Sequence, residues 1–310
     1  MGLAVLFPGQ GSQRVGMADP WLEHPAGRAV IEEVSDALGL DVAAGCRDEA
    51  LLATTDFVQP ALLACDLAAL RVLEAEGVEA AAAAGHSLGE FAALVAAGVL
   101  ELPAAAALVA ERGRAMQEAA RARPGTMTAL LGCTIAEARA ICEEARGDDV
   151  LVVANENAEK QAVLSGEVPA IERAEALAKE RGARAVRLAV AGAFHSPLME
   201  PAAERVRRAI ADVAFHPPRV PVAANVSGRL EDDAEALREL LARQVVSPVR
   251  WHAAMEALAA AGVETYVEAG PGDVLTKLAR RAAPGATAAA AGSPEEAARV
   301  AASLRTGARG

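Results

Sequence analysis

Apolar and polar positions follow two textures along this chain. The first apolar run, LAVLF at 3–7, is too short for a helix and stops at the glycine-rich PGQGSQ of 8–13. That predicts a buried strand entering a tight turn. Helical spacing follows over 25–38 and 60–76, where Ala61, Leu62, Ala64, Cys65, Ala68, Ala69 and Val72 share one side. A third helical pattern, Phe91, Leu94 and Val95, lies directly behind GHSLG at 85–89 and runs to about residue 97. A fourth runs from Pro103 to Ala122, with its proline in the first turn.

The texture changes after Pro124-Gly125. Residues 126–132 read as a strand, 135–145 as a helix, 150–157 and 161–166 as strands, 168–182 as a helix closed by its glycine, and 183–190 as a strand. That βαββαβ order, in about 65 residues, is the ferredoxin-like split pattern. The first texture resumes with GAFHSPLME and continues through PVAANVSG, a helix near 234–242, SPVRWHAAMEAL, the strand ETYVEAG and the turn PGD. The tail from Ala282 is alanine-rich and weakly specified. These patterns predict an α/β protein. Its large domain, 1–123 and 192–310, carries a parallel sheet, and a small ferredoxin-like subdomain, 124–191, is inserted into it. Ligands of parallel sheets sit beyond the carboxyl ends of the strands. The turns GQGSQ and GHSLG each follow a candidate strand, so both are expected to open onto one crevice.

Composition narrows the function. An apolar fraction of 53% supports a sizeable core, while a net charge of −12 and only 3% aromatic residues argue against nucleic acid or an anionic membrane as partner. Cys46, Cys65, Cys133 and Cys142 lack CxxC spacing and read as reduced thiols of a cytoplasmic protein. The N-terminus has neither a basic n-region nor an apolar stretch long enough for a signal peptide or membrane span. No HExxH, clustered Cys/His, GxGxxG or P-loop spacing occurs, so neither a metal nor a tightly bound cofactor is expected.

Candidate chemistry centres on Gly85-x-Ser87-x-Gly89. A sharp strand-to-helix turn would expose the serine hydroxyl at the helix N-terminus, as in a nucleophile elbow; a serine that merely caps a helix fits the same five residues. A serine nucleophile needs a base, and five histidines are available. His86 adjoins Ser87 and reads as a packing residue of the turn, at the edge of the substrate crevice. His24 and His216 precede prolines in connecting segments, and His252 starts a helix. His195, among Phe194, Leu198 and Met199, is a candidate base or a satisfied core histidine. Arg112 falls on a helix face with Leu108, Val109 and Met116, where a guanidinium needs a partner or a water-filled cleft; its fork suits a free carboxylate, and a solvated surface arginine fits the same position.

Six motifs then occur in order: FPGQGSQ at 7–13, GHSLGE at 85–90, ERG at 111–113, GAFHSPLM at 192–199, RQVVSPVRW at 243–251 and EAGPGDVLTKL at 268–278. Together they resemble the malonyl-CoA:acyl-carrier-protein transacylases and the acyltransferase domains of polyketide synthases, over residues 3 to 281. The resemblance implies a large domain like an α/β hydrolase with the ferredoxin-like subdomain packed over the cleft. It implies Ser87 as the nucleophile, His195 as base and acid, and the backbone N–H groups of Gln10 and Leu88 as the oxyanion hole. It implies Arg112 as the clamp for the malonyl carboxylate and Gln244 near the histidine, with no acidic third member. Phe194 goes with malonyl rather than methylmalonyl. The implied substrates are malonyl-CoA, a coenzyme A thioester, and an acyl carrier protein, in fatty acid or polyketide synthesis. Basic candidates for the carrier are Arg181, Arg184, Arg187, Lys277, Arg280 and Arg281. Alternatives are a serine hydrolase or thioesterase, an acyltransferase for another dicarboxylic extender unit or another carrier-bound acyl group, and a non-catalytic docking protein.

Overall fold

The computed structural model describes residues 2–307. Its larger sheet has the order β10-β9-β1-β2-β7-β8. These are β1 (Gly2–Phe7), β2 (Ala82–Gly85), β7 (Val222–Ala223), β8 (Leu230–Glu231), β9 (Val263–Ala269) and β10 (Thr287–Ala291). All neighbours are parallel except β7 and β8. Side chains alternate along each strand, so the sheet has two buried faces. Val5, Phe7 and Ala83 join one core, while Ala4, Leu6, Ala82 and Ala84 join another. The first core lies under α1 (Pro25–Leu38), α2 (Val42–Gly45), α3 (Glu49–Leu52), α4 (Thr55–Ala75), α5 (Gly89–Ala96) and α6 (Leu102–Ala122).

The smaller sheet is antiparallel with the order β4-β5-β3-β6. It comprises β3 (Thr126–Leu131), β4 (Leu151–Ala158), β5 (Gln161–Gly166) and β6 (Arg184–Arg187), and packs against α7 (Ile135–Ala145) and α8 (Val168–Glu180) around its own core. The chain then runs through α9 (Glu200–Ala211), α10 (Ala234–Arg243), α11 (Trp251–Ala260), α12 (Val274–Ala282) and α13 (Pro294–Gly307). Backbone bonds tie the two sheets' layers together. Glu156 N–H donates to Val249 O and Val249 N–H to Ala154 O, both at 2.8 Å. This bridge docks β4 beside the segment that leads into α11. No helix among the described residues is long and apolar enough to cross a membrane.

Three elements differ from the sequence reading. The helix expected from residue 60 begins at Thr55 and carries Pro60 inside it. The proline removes one helical hydrogen bond, but Phe57, Val58 and Leu62 bury this end of the helix regardless. The strand expected over 183–190 is ordered as a ladder only at 184–187. The weakly specified tail contains β10 and α13. Five Thr and Ala residues form β10 because they pair in register with β9, a tertiary cause that leaves little mark in the local pattern.

Candidate active site

The ends of β1 and β2 and the start of α5 meet at near-contact distance. A Cβ on Gly85 would lie 1.9 Å from the Gly89 backbone, and one on Gly89 would lie 2.1 Å from Phe7 O. Only glycine allows that approach. The turn it permits places Ser87 at φ +53°, and His195 stands at φ +56°. No other described non-glycine residue has positive φ. Such backbones persist where the surroundings over-determine them, and they concentrate at functional sites.

The two residues meet. Ser87 Oγ is 2.7 Å from His195 Nε2. His195 Nδ1 faces two carbonyls, Gln244 O at 3.0 Å and Ser247 O at 3.1 Å. Carbonyls only accept, so Nδ1 carries the proton and Nε2 is free to take one from Ser87. No carboxylate among the described residues contacts the ring. His195 is 4% exposed, and burial, reinforced by the Arg112 charge, pushes its pKa down to about 3.

Arg112, on α6, is 1% exposed. Nη1 donates to Gln59 Oε1 at 2.7 Å; Nη2 donates to Gln244 Oε1 and to Ser87 Oγ, each at 3.0 Å. All three partners are neutral. Burial pushes its pKa down to about 10, opposed by the charge of Glu90. Glu90 is 2% exposed and accepts from Asn225 N–H at 2.8 Å and Gln244 Nε2 at 2.5 Å. Burial raises its pKa to about 7, against those hydrogen bonds and Arg112.

A cavity of about 80 Å³ beside these groups is lined by Gln10, His86, Ser87, Arg112, Phe194 and His195, among others. The expected convergence of the turns at 8–13 and 85–89 is thus present. The N–H groups of Gln10 and Leu88 make no hydrogen bond among the described residues. His86 does not touch Ser87 Oγ. Its Nε2 meets Asn157 Oδ1 at 2.8 Å and its ring lies 5.4 Å from Trp251, a wall of the crevice. His24 caps α1, His252 pairs with Glu256, and His216 N–H bonds Val99 O; none lines the cavity. Sequence reasoning missed Gln59, Glu90, Asn225, Asn155 and Asn157. Glu90 ends the GHSLGE motif and Gln59 interrupts an apolar helix face, which are the signals available for those two.

The arrangement can activate a hydroxyl, stabilise an oxyanion and hold an anion beside the reacting centre. The acyl transferase domain family profile matches residues 5–307. The malonyl CoA-acyl carrier protein transacylase of Escherichia coli K12 is 43% identical over 298 residues, 94% of this chain and 96% of that one. The crystal structure of the malonyl-CoA:acyl carrier protein transacylase of Xanthomonas oryzae has a TM-score of 0.93 at 42% identity, covering 97% of this chain and 98% of that one. A type II PKS acyl-carrier protein in complex with its malonyl-transacylase matches with a TM-score of 0.93 at 37% identity, over 98% and 100%.

Two buried groups give stability opposite pH slopes. The unfolded His195 takes up a proton near 6.5, the folded one only near 3, so this group costs stability as pH falls through that window. Glu90, raised from 4.5 to about 7, favours the fold below 4.5 and loses that contribution as pH rises through 7. His195→Asn should therefore lose less stability than wild type between about pH 6.5 and 4, read by guanidinium unfolding at a series of pH values. An unchanged slope would contradict a neutral, buried imidazole.

Proposed function

The chain belongs to the acyl transferase domain family, and on that premise we propose that it moves a malonyl group from malonyl-CoA through an ester on Ser87 to the phosphopantetheine thiol of an acyl carrier protein, for fatty acid or polyketide synthesis. One observation carries the choice of substrate: a buried guanidinium with only neutral partners stands 3.0 Å from the nucleophilic oxygen. An acyl group with a free carboxylate supplies the missing counter-ion; an uncharged acyl group leaves Arg112 unpaired.

The steps follow from the geometry. His195 Nε2 takes the Ser87 proton as Oγ attacks the thioester carbon. The developing oxyanion lies between the N–H groups of Gln10 and Leu88, at the start of α5. Losing one such donor costs about 3 to 4 kcal/mol in comparable sites. Collapse expels coenzyme A, whose thiolate takes the proton from His195. The carrier thiol then repeats the sequence in reverse, with His195 as base for the thiol, giving ping-pong kinetics. The carbonyls of Gln244 and Ser247 orient the imidazole in place of an acidic residue. Phe194, on the cavity wall, fills the space an α-methyl group would need and favours malonyl. Coenzyme A enters as part of a substrate, with no tightly bound cofactor required. Four buried free thiols suit the reducing cytoplasm, where we place the reaction.

Carrier proteins are acidic, and so is this chain, so docking needs a local basic surface. Arg181, Arg187 and Lys277 are already paired with Glu144, Glu175 and Asp273. Arg280 and Arg281 are exposed and, among the described residues, meet only Ala288 O and Gln161 Oε1. Arg281 edges a groove of about 850 Å³ with Lys160, beside the paired Lys277 and the acidic Glu159. We assign carrier docking to this groove.

Intact-mass spectrometry after brief mixing with malonyl-, methylmalonyl- and acetyl-CoA tests the reading. Wild type should gain a malonyl-sized adduct that a carrier protein discharges, and Ser87→Ala should gain none. Arg112→Ala should lower malonyl loading and raise the relative acceptance of acetyl, by about tenfold or more in the ratio. An adduct that decays to free acid regardless of carrier protein would favour a hydrolase, and an unchanged ratio would remove Arg112 as the clamp. Charge reversal at Arg280 and Arg281 should slow discharge to the carrier while sparing loading from malonyl-CoA; equal loss of both half-reactions would count against the groove.

A further inference from the structure

The turn that presents Ser87 is held by a side chain outside all six motifs. Asn225 follows β7 and is 1% exposed. Its Oδ1 accepts the Ser87 N–H at 2.7 Å, and its Nδ2 donates to Gly85 O at 2.7 Å. One amide thus clamps the last residue of β2 to the nucleophile, spanning His86. Its own backbone is fixed on both sides: its N–H donates to Glu90 Oε1 at 2.8 Å, and its carbonyl accepts from Arg250 N–H at 2.9 Å. The Ser87 carbonyl accepts from Gln244 Nε2 at 2.8 Å. The peptide groups on either side of the Ser87 Cα are therefore both gripped by buried amides from distant parts of the chain. Between them Ser87 keeps a left-handed backbone that residues with a Cβ avoid.

We propose that Asn225 is a positioning residue for the reaction: its amide holds Ser87 in the turn that aims Oγ at His195 and leaves the Leu88 N–H open to the acyl oxygen. The inference rests on Ser87 being the nucleophile, as read above. The geometry is chemically specific. One atom of the side chain must accept and the other must donate, which an amide does and a carboxylate does not. With its N–H given to Asn225, Ser87 contributes no oxyanion donor of its own, which leaves that role in this turn to the next N–H, that of Leu88.

Asn225→Asp tests this with little change of shape. An ionised carboxylate sets an acceptor against Gly85 O, while a protonated one restores both hydrogen bonds, and burial raises the pKa of the new carboxyl. The charged and titratable groups around the position are Glu90 from α5, Arg112 from α6, His86 in the turn, His195, and Arg250 before α11. All are shared with wild type, so the variant-to-wild-type ratio at each pH reports the new carboxyl together with its coupling to Glu90, which is raised to about 7. At about pH 8, Ser87 acylation by the variant should be slower by on the order of 100-fold, as expected for a misplaced reacting atom. The factor should be the same for malonyl- and acetyl-CoA, with half-saturating concentrations unchanged. At about pH 6 the ratio should recover roughly tenfold as the carboxyl takes up its proton. Asn225→Ala should be slow at both pH values. A fluorophosphonate probe of Ser87, which needs the turn but no malonyl group, should report the same pattern.

A ratio independent of pH, a loss confined to one donor or to half-saturation, or full-speed Asn225→Ala would overturn the proposal. So would loss of the wild-type circular-dichroism spectrum by Asn225→Asp at either pH, which would make Asn225 a residue of the fold alone. Wild type that takes the probe but no acyl group from a coenzyme A ester would sink the malonyl reading, while the labelling rates would still judge Asn225.

Discussion

A guanidinium buried among neutral oxygens is the constraint around which this centre is organised. An ion removed from water costs several kcal/mol unless something replaces its hydration. Arg112 replaces it with the side-chain oxygens of Gln59, Gln244 and Ser87, leaving its Nε without a partner. The nearest balancing charge, Glu90, reaches it through the Gln244 amide. Such a site is stable enough to exist and still short of a carboxylate. In the proposed reaction, that shortfall is what selects malonyl and positions its thioester over Ser87.

Gln244 joins the parts. Its side-chain oxygen receives Arg112, its side-chain nitrogen holds both Glu90 and the Ser87 carbonyl, and its backbone carbonyl orients His195. Glu90 and the Ser87 carbonyl both accept, so the amide can point only one way, and its oxygen must face the arginine. The fold supplies the frame. Parallel β1 and β2 end side by side, their following turns carry Gln10 and Ser87, and the bridge at Val249 brings β4 of the smaller sheet against the crevice.

Ser87 and Arg112 stood out as candidates because each lies in a short motif whose chemistry is local: glycines at a turn, or an arginine on an apolar helix face; Gln10 entered only through the family resemblance. His195 was one of five histidines until the motif around it singled it out. The ferredoxin-like order and the strands β1 and β9 of the larger sheet were legible from periodicity. Asn225, Gln59 and the capacity of Gln244 to join four groups were not, because their partners lie far away in sequence. Asn225 is 138 residues from Ser87, and Gln244 is 132 from Arg112. Neither distance leaves a periodic trace. The tail strand β10 was hidden for a related reason, since alanines form it only by pairing with β9.

The most direct measurement is a crystal structure of the enzyme with malonyl trapped on Ser87. The expected result is the free carboxylate on the Nη atoms of Arg112 and the ester carbonyl oxygen between the N–H groups of Gln10 and Leu88. A carboxylate turned to solvent, with Arg112 still held only by Gln59 and Gln244, would contradict it.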